Sequence, residues 1–374
     1  IPPRDFREPP PTYAWAPGQY AQDSHTIATV PGAPPGVYDL ELVVFNRETF
    51  ATARTLNDDG QLGPPSLGLG QLTVTRPQRS PTPDEMALDR RLDVQLGPLR
   101  LLDARFDRAE AAPGDPFLAT WYWLADEQPP ADFTARLSLL DGVGNVAATF
   151  DAPPTRESHP TSDWHPGDLW VGQHPFHLPA RLGDGAHVWR LSLHPGDNEA
   201  ALPDTLHVTA PQRAFAPPPV DVPLDAAFED AGALLATLVG ASFDPLPAAD
   251  DLHPLESGQL LTVTLVWRAE ADDTRPTHTS YRVFLHLVPS DPHGRPDGAP
   301  IAQSDAVPDN WRRPTTGWIA QEYITDPHVL SIPTDTPPGD YVLLAGLYDP
   351  DGARLTTHGE AGGAPLGVIA IQSP

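Results

Sequence analysis

The feature of this sequence that most constrains its fold is an internal repeat. At an offset of 303 residues, the segment around Trp15 matches the segment around Trp318 over some thirty positions without a gap. The matched positions are Tyr20 and Tyr323, Asp23 and Asp326, His25 and His328, the Pro-Pro-Gly triplets at 34–36 and 337–339, Tyr38 and Tyr341, and Leu40 and Leu343. A weaker copy at an offset of 149 places Trp164, His174 and Gly185 at the positions of Trp15, His25 and Gly36. Such self-similarity is typical of chains built from copies of one structural unit, so we predict three related units.

Each unit has the pattern of short β-strands. Residues 260–267 alternate Thr with apolar side chains. Residues 281–288 place Tyr, Val, Leu and Leu on one face against Arg, Phe, His and Val on the other, and residues 341–348 read as a buried strand. The 49 prolines and 29 glycines recur in clusters between such runs, which is typical of β-proteins with many turns. Only residues 223–238 have the alanine and leucine content of a helix, although Gly232 weakens that prediction. The fold class is therefore predicted to be all-β, with tandem β-sandwiches of the immunoglobulin-like or jelly-roll type.

The three units differ in completeness. We predict a partial sandwich over 1–75, a linker over 76–94, a sandwich over 95–210, a linker over 211–222 and a sandwich over 223–374. Only 14 residues precede Trp15, so the first unit has the back half of a sandwich without its front half. Because the chain begins with isoleucine, we expect it to be a piece of a longer protein. We expect upstream residues, the second unit or a neighbouring copy to cover the open half of the first unit.

Composition excludes several classes of activity. The chain has 23 basic and 50 acidic residues and a formal net charge of −27, which disfavours nucleic acid and anionic membrane surfaces as partners. It has no lysine, hence no P-loop or Schiff-base lysine. It has no cysteine, hence no thiol nucleophile, disulfide or thiolate metal site. No nucleophile-elbow motif is present either, so we expect no enzymatic activity and no catalytic residues.

The third unit, from Phe215 onward, resembles the soluble C-terminal β-domains of bacterial multi-pass membrane glycosyltransferases of the protein-mannosyltransferase-like type. The segments that carry the resemblance are 215–225, 281–288, 301–305, 314–318, 322–328, 337–341, 346–349 and 365–367. The resemblance is clearest over 215–374, moderate in the first unit and poor in the second. It implies an extracytoplasmic β-sandwich appended to a membrane enzyme, with any membrane contact made only through an upstream region. It does not imply the enzyme's activity, because the catalytic loops of such enzymes belong to the membrane part.

The repeated tryptophan–histidine pairs, Trp15/His25, Trp164/His174 and Trp318/His328, allow two interpretations. In a ligand site, the tryptophan would stack on a sugar while the histidine or a nearby aspartate bonds it. In a structural role, the tryptophan plugs each sandwich and the histidine pairs within it. Recurrence in every unit fits part of a fold at least as well as a site, and the second unit has Gly172 where the others have aspartate.

Two further candidates concern sugars and metals. Trp121 and Trp123 lie on one face of a predicted strand, which suits either a sugar platform or a sandwich core. Histidines cluster around His174, but they lack the spacing of a zinc motif. The turn beginning at Asp349 has Arg354 where a calcium-binding loop of the EF-hand type needs glycine. We expect no metal and no cofactor, with adventitious calcium between turns as the one alternative.

From these observations we predict a non-catalytic, extracytoplasmic array of β-sandwich modules of a bacterial cell-surface protein, the accessory region of a membrane glycosyltransferase. Two alternatives stay open. The chain could be a structural subunit of a surface layer or filament, in which a neighbour completes the first unit by strand addition. It could also be an array of carbohydrate-binding modules with a glycan as its partner.

Overall fold

The computed structural model describes residues 18, 25–45, 53–55, 63–64, 66–88, 90–196, 198–245, 255–270, 279–357 and 359–372. The described chain is nearly all β, as the alternation and the turn signals predict. No helix of this described part is long and apolar enough to cross a membrane.

In its described residues, the first unit forms one antiparallel hairpin, whose strands are β1 (Gly36–Val43) and β2 (Ser66–Val74). Tyr38, Leu40, Leu42 and Leu72 share one face of this hairpin, because side chains alternate along a strand. Several of the hairpin's large apolar side chains are about half exposed: Val37, Leu42, Val43, Leu67, Leu69 and Leu72.

The second unit is a sandwich of two sheets. Its strands are β3 (Val94–Leu96), β4 (Leu99–Phe106), β5 (Glu110–Ala111), β6 (Pro116–Ala125), β7 (Thr134–Leu140), β8 (Val146–Ala152), β9 (Leu169–His177), β10 (Gly185–His194) and β11 (Glu199–Val208). One sheet has the order β5-β11-β10-β7-β8 and the other the order β3-β4-β6-β9. Trp123 from β6 and Leu191 from β10 belong to one core, so the two sheets pack face to face.

The third unit repeats this plan with longer sheets. Its strands are β12 (Val222–Asp230), β13 (Ala233–Asp244), β14 (Leu255–Glu256), β15 (Leu260–Ala269), β16 (Arg282–Pro289), β17 (Ala302–Ala306), β18 (Tyr323–Ser331), β19 (Gly339–Tyr348), β20 (Thr356–Thr357), β21 (Glu360–Ala361) and β22 (Ala364–Gln372). The sheets have the orders β18-β15-β13-β12-β20-β21 and β14-β22-β19-β16-β17. Trp267 and Leu343 lie in the core between them.

The helix predicted over 223–238 is wrong, because this segment forms the β12–β13 hairpin. Ala231 and Gly232 both have positive φ angles, 48° and 79°, between the paired residues Asp230 and Ala233. Two such residues form the tight turn that joins antiparallel strands with the correct twist. The alanine and leucine content of the segment reflects burial in the core, which overrides helix propensity.

The hairpins at the ends of the first and third units are equivalent in detail. Tyr38 donates its hydroxyl to the carbonyl of Pro34 at 2.7 Å, and Tyr341 donates to Pro337 at 2.9 Å. The β1–β2 register shifts after Leu40, and the β19–β22 register shifts after Leu343. The repeat read from the sequence therefore corresponds to a repeated local structure.

Candidate functional site

Two tryptophans of the repeated pairs, Trp164 and Trp318, lie inside the sandwiches. Trp164 and Trp318 each follow a 3-10 turn, Thr161–Asp163 and Thr315–Gly317 respectively, and both indoles are buried. The Trp318 indole N–H donates to the carbonyl of Arg313 at 3.0 Å. Neither ring offers a face on which a sugar could stack. Trp15 lies outside the described residues, whereas His25 lies before β1 and is exposed.

His328 belongs to a buried polar network in the third unit. The Oδ2 atom of Asp326 lies 3.0 Å from His328 Nε2 and accepts the Trp267 indole N–H at 3.2 Å. The Nδ1 atom of His328 lies 3.0 Å from the Ser304 hydroxyl. The other oxygen of Asp326 accepts the backbone N–H of Asp309 at 2.8 Å. The Asp326 carboxylate is fully buried, and it is bonded by Trp267, His328 and the backbone of Asp309.

The order of Ser304, His328 and Asp326 invites comparison with a nucleophilic triad. Ser304 is on β17 and His328 is on β18, the facing edge strands of the two sheets. The histidine and aspartate side chains are at most 1% exposed, whereas Ser304 is partly exposed. The contact between Ser304 and His328 joins the two sheets along one side of the sandwich.

A strained turn lies beside this network. Asp309, Asn310 and Trp311 have consecutive φ angles of 54°, 51° and 71°, a left-handed conformation that costs non-glycine residues free energy. The hydrogen bond from the Asp309 N–H to the Asp326 carboxylate offsets part of this free-energy cost. This turn therefore bonds the carboxylate oxygen that His328 does not contact.

The second unit lacks the carboxylate and fills its place with an indole. Gly172 pairs with Trp121 on the neighbouring strand, where the third unit pairs Asp326 with Leu265. A Cβ on Gly172 would overlap the Pro154 carbonyl and the Trp121 ring, so Trp121 requires glycine at this position. His174 packs on this indole at 4.6 Å between ring centroids. Sequence comparison shows the loss of the aspartate but not its replacement by Trp121.

The missing carboxylate leaves buried nitrogens unpaired. The Nε2 of His174 and the Nε1 of Trp123 have no hydrogen-bond partner among the described residues, whereas their counterparts His328 and Trp267 both contact Asp326. Burial without a carboxylate lowers the pKa of His174 to about 4. His174 is therefore a neutral core residue at pH 7.

Trp121 and Trp123 do not form a sugar platform. A platform needs an exposed ring face, and the two side chains are 1% and 0% exposed. Trp121 donates its N–H to the carbonyl of Pro154 at 2.6 Å, inside the sandwich. Both residues belong to the hydrophobic core of the second sandwich, which is the alternative interpretation.

Sequence reasoning missed a pair of equivalent arginine clamps. Arg76 bonds the Asp168 carboxylate at 2.9 Å and the carbonyl of Asp163. Arg213 bonds the Glu322 carboxylate at 2.5 Å and the carbonyl of Gly317. Both acidic residues stand four positions after the repeated tryptophan, a signal that was available in the sequence.

The two linkers share a Pro-Gln-Arg triplet, at 77–79 and 211–213. This triplet aligns Arg213 with Arg79, but Arg79 pairs with the exposed Glu85 and donates to the carbonyl of Ser80. The structural counterpart of Arg213 is Arg76. Arg213 also donates to the carbonyl of Ala180 in the second unit, so it contacts both sandwiches. The fully buried Glu322 receives a second arginine, Arg313, at 2.5 Å.

The acidic turns have the structure of hairpin turns. Asp349 accepts the backbone N–H of Ala353 at 2.7 Å, and Asp291 accepts those of His293 and Arg295. The N–H of Arg295 is the largest cause that lowers the pKa of the Asp291 carboxyl. Within the described ranges, no three histidine or acidic residues are grouped so that they could hold a metal ion.

An apolar groove of about 560 Å³ separates the first unit from the second. Its first-unit wall includes Tyr38, Leu40 and Leu72 from the hairpin. Arg156 and Val171 line it from the second unit. The Arg156 guanidinium stacks over the Tyr38 ring at 4.5 Å, so the second unit covers one end of the hairpin's apolar face.

Comparison with known proteins gives no family. No family model matches the chain, and no curated protein matches it. A crystal structure of the C-terminal domain of wzt is 13% identical with a TM-score of 0.24, covering 31% of this chain and 76% of that one. The Pseudomonas fluorescens alkylpurine DNA glycosylase AlkC, bound to DNA containing an abasic site analog, is 10% identical with a TM-score of 0.20, covering 30% and 31%. A structure described as pT26-6p is 11% identical with a TM-score of 0.22, covering 75% and 65%.

Proposed function

We propose that this chain is a non-catalytic array of β-sandwich modules, the extracytoplasmic accessory region of a bacterial membrane glycosyltransferase. One observation carries the non-catalytic part. The aromatic and histidine positions shared by the second and third units are occupied by core packing and, at His328, by a hydrogen bond between the two sheets. The groups that could do chemistry therefore serve the fold.

The extracytoplasmic and enzyme-associated parts of the proposal are supported by the sequence resemblance of residues 215–374 to appended glycosyltransferase β-domains. The net charge of −27 supports a role away from nucleic acid and anionic lipid. Accessibility on intact cells tests the location. A protease added outside should cut the full-length protein at the exposed 291–298 turn, and protection until lysis would contradict the proposal.

The test of the non-catalytic role concentrates on Ser304, because its hydroxyl contacts His328. We expect the purified chain to hydrolyse p-nitrophenyl esters and glycosides no faster than buffer. The test variant is Ser304→Ala and the matched control is Ser290→Ala. Ser290 is a half-buried serine of the same unit whose hydroxyl donates to the backbone carbonyl of Asp291. Turnover that is abolished by the first variant and kept by the second would overturn the proposal.

A second candidate function is favoured by the open first unit. Its hairpin exposes apolar side chains and is a two-stranded sheet among the described residues. Isolated two-stranded sheets are marginally stable, and exposed apolar patches mark sites of association. We therefore consider a structural subunit that is completed by strand addition from a partner.

A further inference from the structure

The β1 edge of the first hairpin has no strand beside it among the described residues. Its equivalents in the other units do: β10 pairs with β7, and β19 pairs with β16, both antiparallel. The two complete units are therefore internal templates for what a strand at this edge must look like. By the repeat offset of 303, Val342 and Leu344 of β19 correspond to Asp39 and Glu41 of β1.

One side chain marks the direction of the open edge. In the third unit, the carbonyl of Asp340 accepts the backbone N–H of Ser290, the residue that follows β16. The equivalent carbonyl in the first unit belongs to Val37 and accepts the guanidinium of Arg156 at 3.1 Å. Arg156 thus caps the first carbonyl of the edge that a strand would occupy. Since backbone groups alternate in direction, Asp39 and Glu41 also turn their amides and carbonyls to this edge.

The faces of β1 define the side chains that an added strand needs. On one face, Tyr38 and Leu40 line the apolar groove and Leu42 continues the same face of the strand. The third unit places Leu285 and Leu287 of β16 against its core beside the equivalent face. On the other face, Asp39 and Glu41 are exposed acids. An added strand therefore matches β1 when aliphatic residues alternate with basic ones.

We propose that β1 accepts an extended segment of a partner polypeptide as an antiparallel strand. Aliphatic side chains of that strand enter the apolar face, and basic side chains lie opposite Asp39 and Glu41. This inference rests on the proposed assembly role of a non-catalytic module. Strand addition of this kind derives affinity from main-chain hydrogen bonds and specificity from alternate side chains.

Other sources of the strand fit the chemistry less well. The segments of this chain that the structure does not describe, such as 1–17, 46–52 and 271–278, contain no run in which aliphatic and basic residues alternate. A second copy would bring Asp39 and Glu41 against the same two acids and would double a net charge of −27. A partner with basic residues on its outer face avoids both costs.

The test uses the internal template as its probe. A fluorescein-labelled peptide of residues 281–290 is titrated with the 374-residue chain, and binding is followed by anisotropy. The register predicts that the peptide amides of His286 and Val288 face β1 and that the amide of Leu287 faces away. N-methylation at His286 or Val288 should weaken binding at least tenfold, whereas N-methylation at Leu287 should leave it within about twofold.

Two further comparisons test the faces. Arginine at the peptide positions of His286 and Val288 should tighten binding at low salt, and aspartate there should weaken it. In the protein, Leu40→Asp should weaken binding, while Thr73→Asp, on the opposite face of the same hairpin, should not. Because Leu40→Asp could unfold the hairpin, the N-methylated peptides decide the result independently.

Each outcome has a defined meaning. No binding of the parent peptide, or equal loss on all three N-methylations, overturns the strand proposal and leaves the non-catalytic role standing. Concentration-dependent dimerisation through β1 would assign the edge to a second copy and overturn the partner. If the full-length protein from its natural source does not bind the peptide whereas this chain does, the edge is already filled within that protein. Serine-dependent turnover would instead overturn the proposed function without touching the peptide result.

Discussion

At the scale of single residues, the repeated tryptophans are the strongest candidates for a structural role. Trp164→Ala and Trp318→Ala should each lower the free energy of unfolding by roughly 3–5 kcal/mol, because truncation of a buried large aromatic leaves a cavity. Urea denaturation followed by circular dichroism measures this. Trp311→Ala is the matched control, since that ring is 40% exposed and should cost about 1 kcal/mol or less. Unchanged stability with lost ligand binding would show that the two tryptophans form a site.

His174 makes the stability of the second unit depend on pH. Its pKa falls to about 4 in the folded state because it is buried, whereas an unfolded histidine titrates near 6.5. The unfolded chain therefore binds more protons between these values. Above pH 6.5 the protonation of His174 does not reduce the free energy of unfolding. As pH falls from 6.5 towards 4, the free energy of unfolding decreases by about 3 kcal/mol.

The matched variants for this pH dependence are His174→Phe, which keeps an aromatic ring against Trp121, and His293→Gln, which removes an exposed histidine. Urea midpoints measured from pH 7 to pH 4.5 should fall less steeply in the first variant than in the second. Burial also lowers the pKa of His159, so some dependence should persist in both. Equal slopes in the two variants would show that His174 is not the group responsible.

At the scale of elements, the arginine clamps attach each linker to the sandwich that follows it: Arg76 bonds Asp168, and Arg213 bonds Glu322. Arg213→Met should lower the stability of the third unit by about 3 kcal/mol, because it leaves the buried Glu322 with one arginine fewer. Arg79→Met, in the other Pro-Gln-Arg triplet, should have little effect because its partner Glu85 is exposed. Calorimetry reports both variants, and equal effects would contradict the distinction between the two arginines.

Much of the element structure was predictable from sequence. The alternation over residues 260–267 predicts a strand, and β15 spans Leu260–Ala269. The helix over 223–238 was wrong because composition does not reveal that Ala231 and Gly232 adopt a two-residue turn. The exchange of Asp326 and Leu265 for Gly172 and Trp121 could not be read from one sequence, because it depends on which strands are neighbours.

At the scale of the whole molecule, the two complete units are joined by close contacts between their loops. The Thr316 hydroxyl donates to the carbonyl of Gly114 at 2.6 Å, and a Cβ on Gly114 would overlap the backbone of Gly317. Small residues here let the two backbones approach. The first unit differs, because an apolar groove lies between its hairpin and the second unit. The incompletely covered apolar surface of the described chain therefore lies at the first unit.

Hydrogen exchange of the dilute monomer should show this difference amide by amide. Val342 and Leu344 in β19 bond to β16, so their amides should be protected, as should those of their neighbours that bond to β22. The equivalent residues in β1, Asp39 and Glu41, face the open edge and should exchange fast, while Leu40, which bonds to β2, should exchange more slowly. This alternation should disappear when the 281–290 peptide is added, because the added strand supplies the missing acceptors. If Asp39 and Glu41 are as protected in the free monomer as Val342 and Leu344, the edge is already covered and no partner strand is needed to complete the first unit.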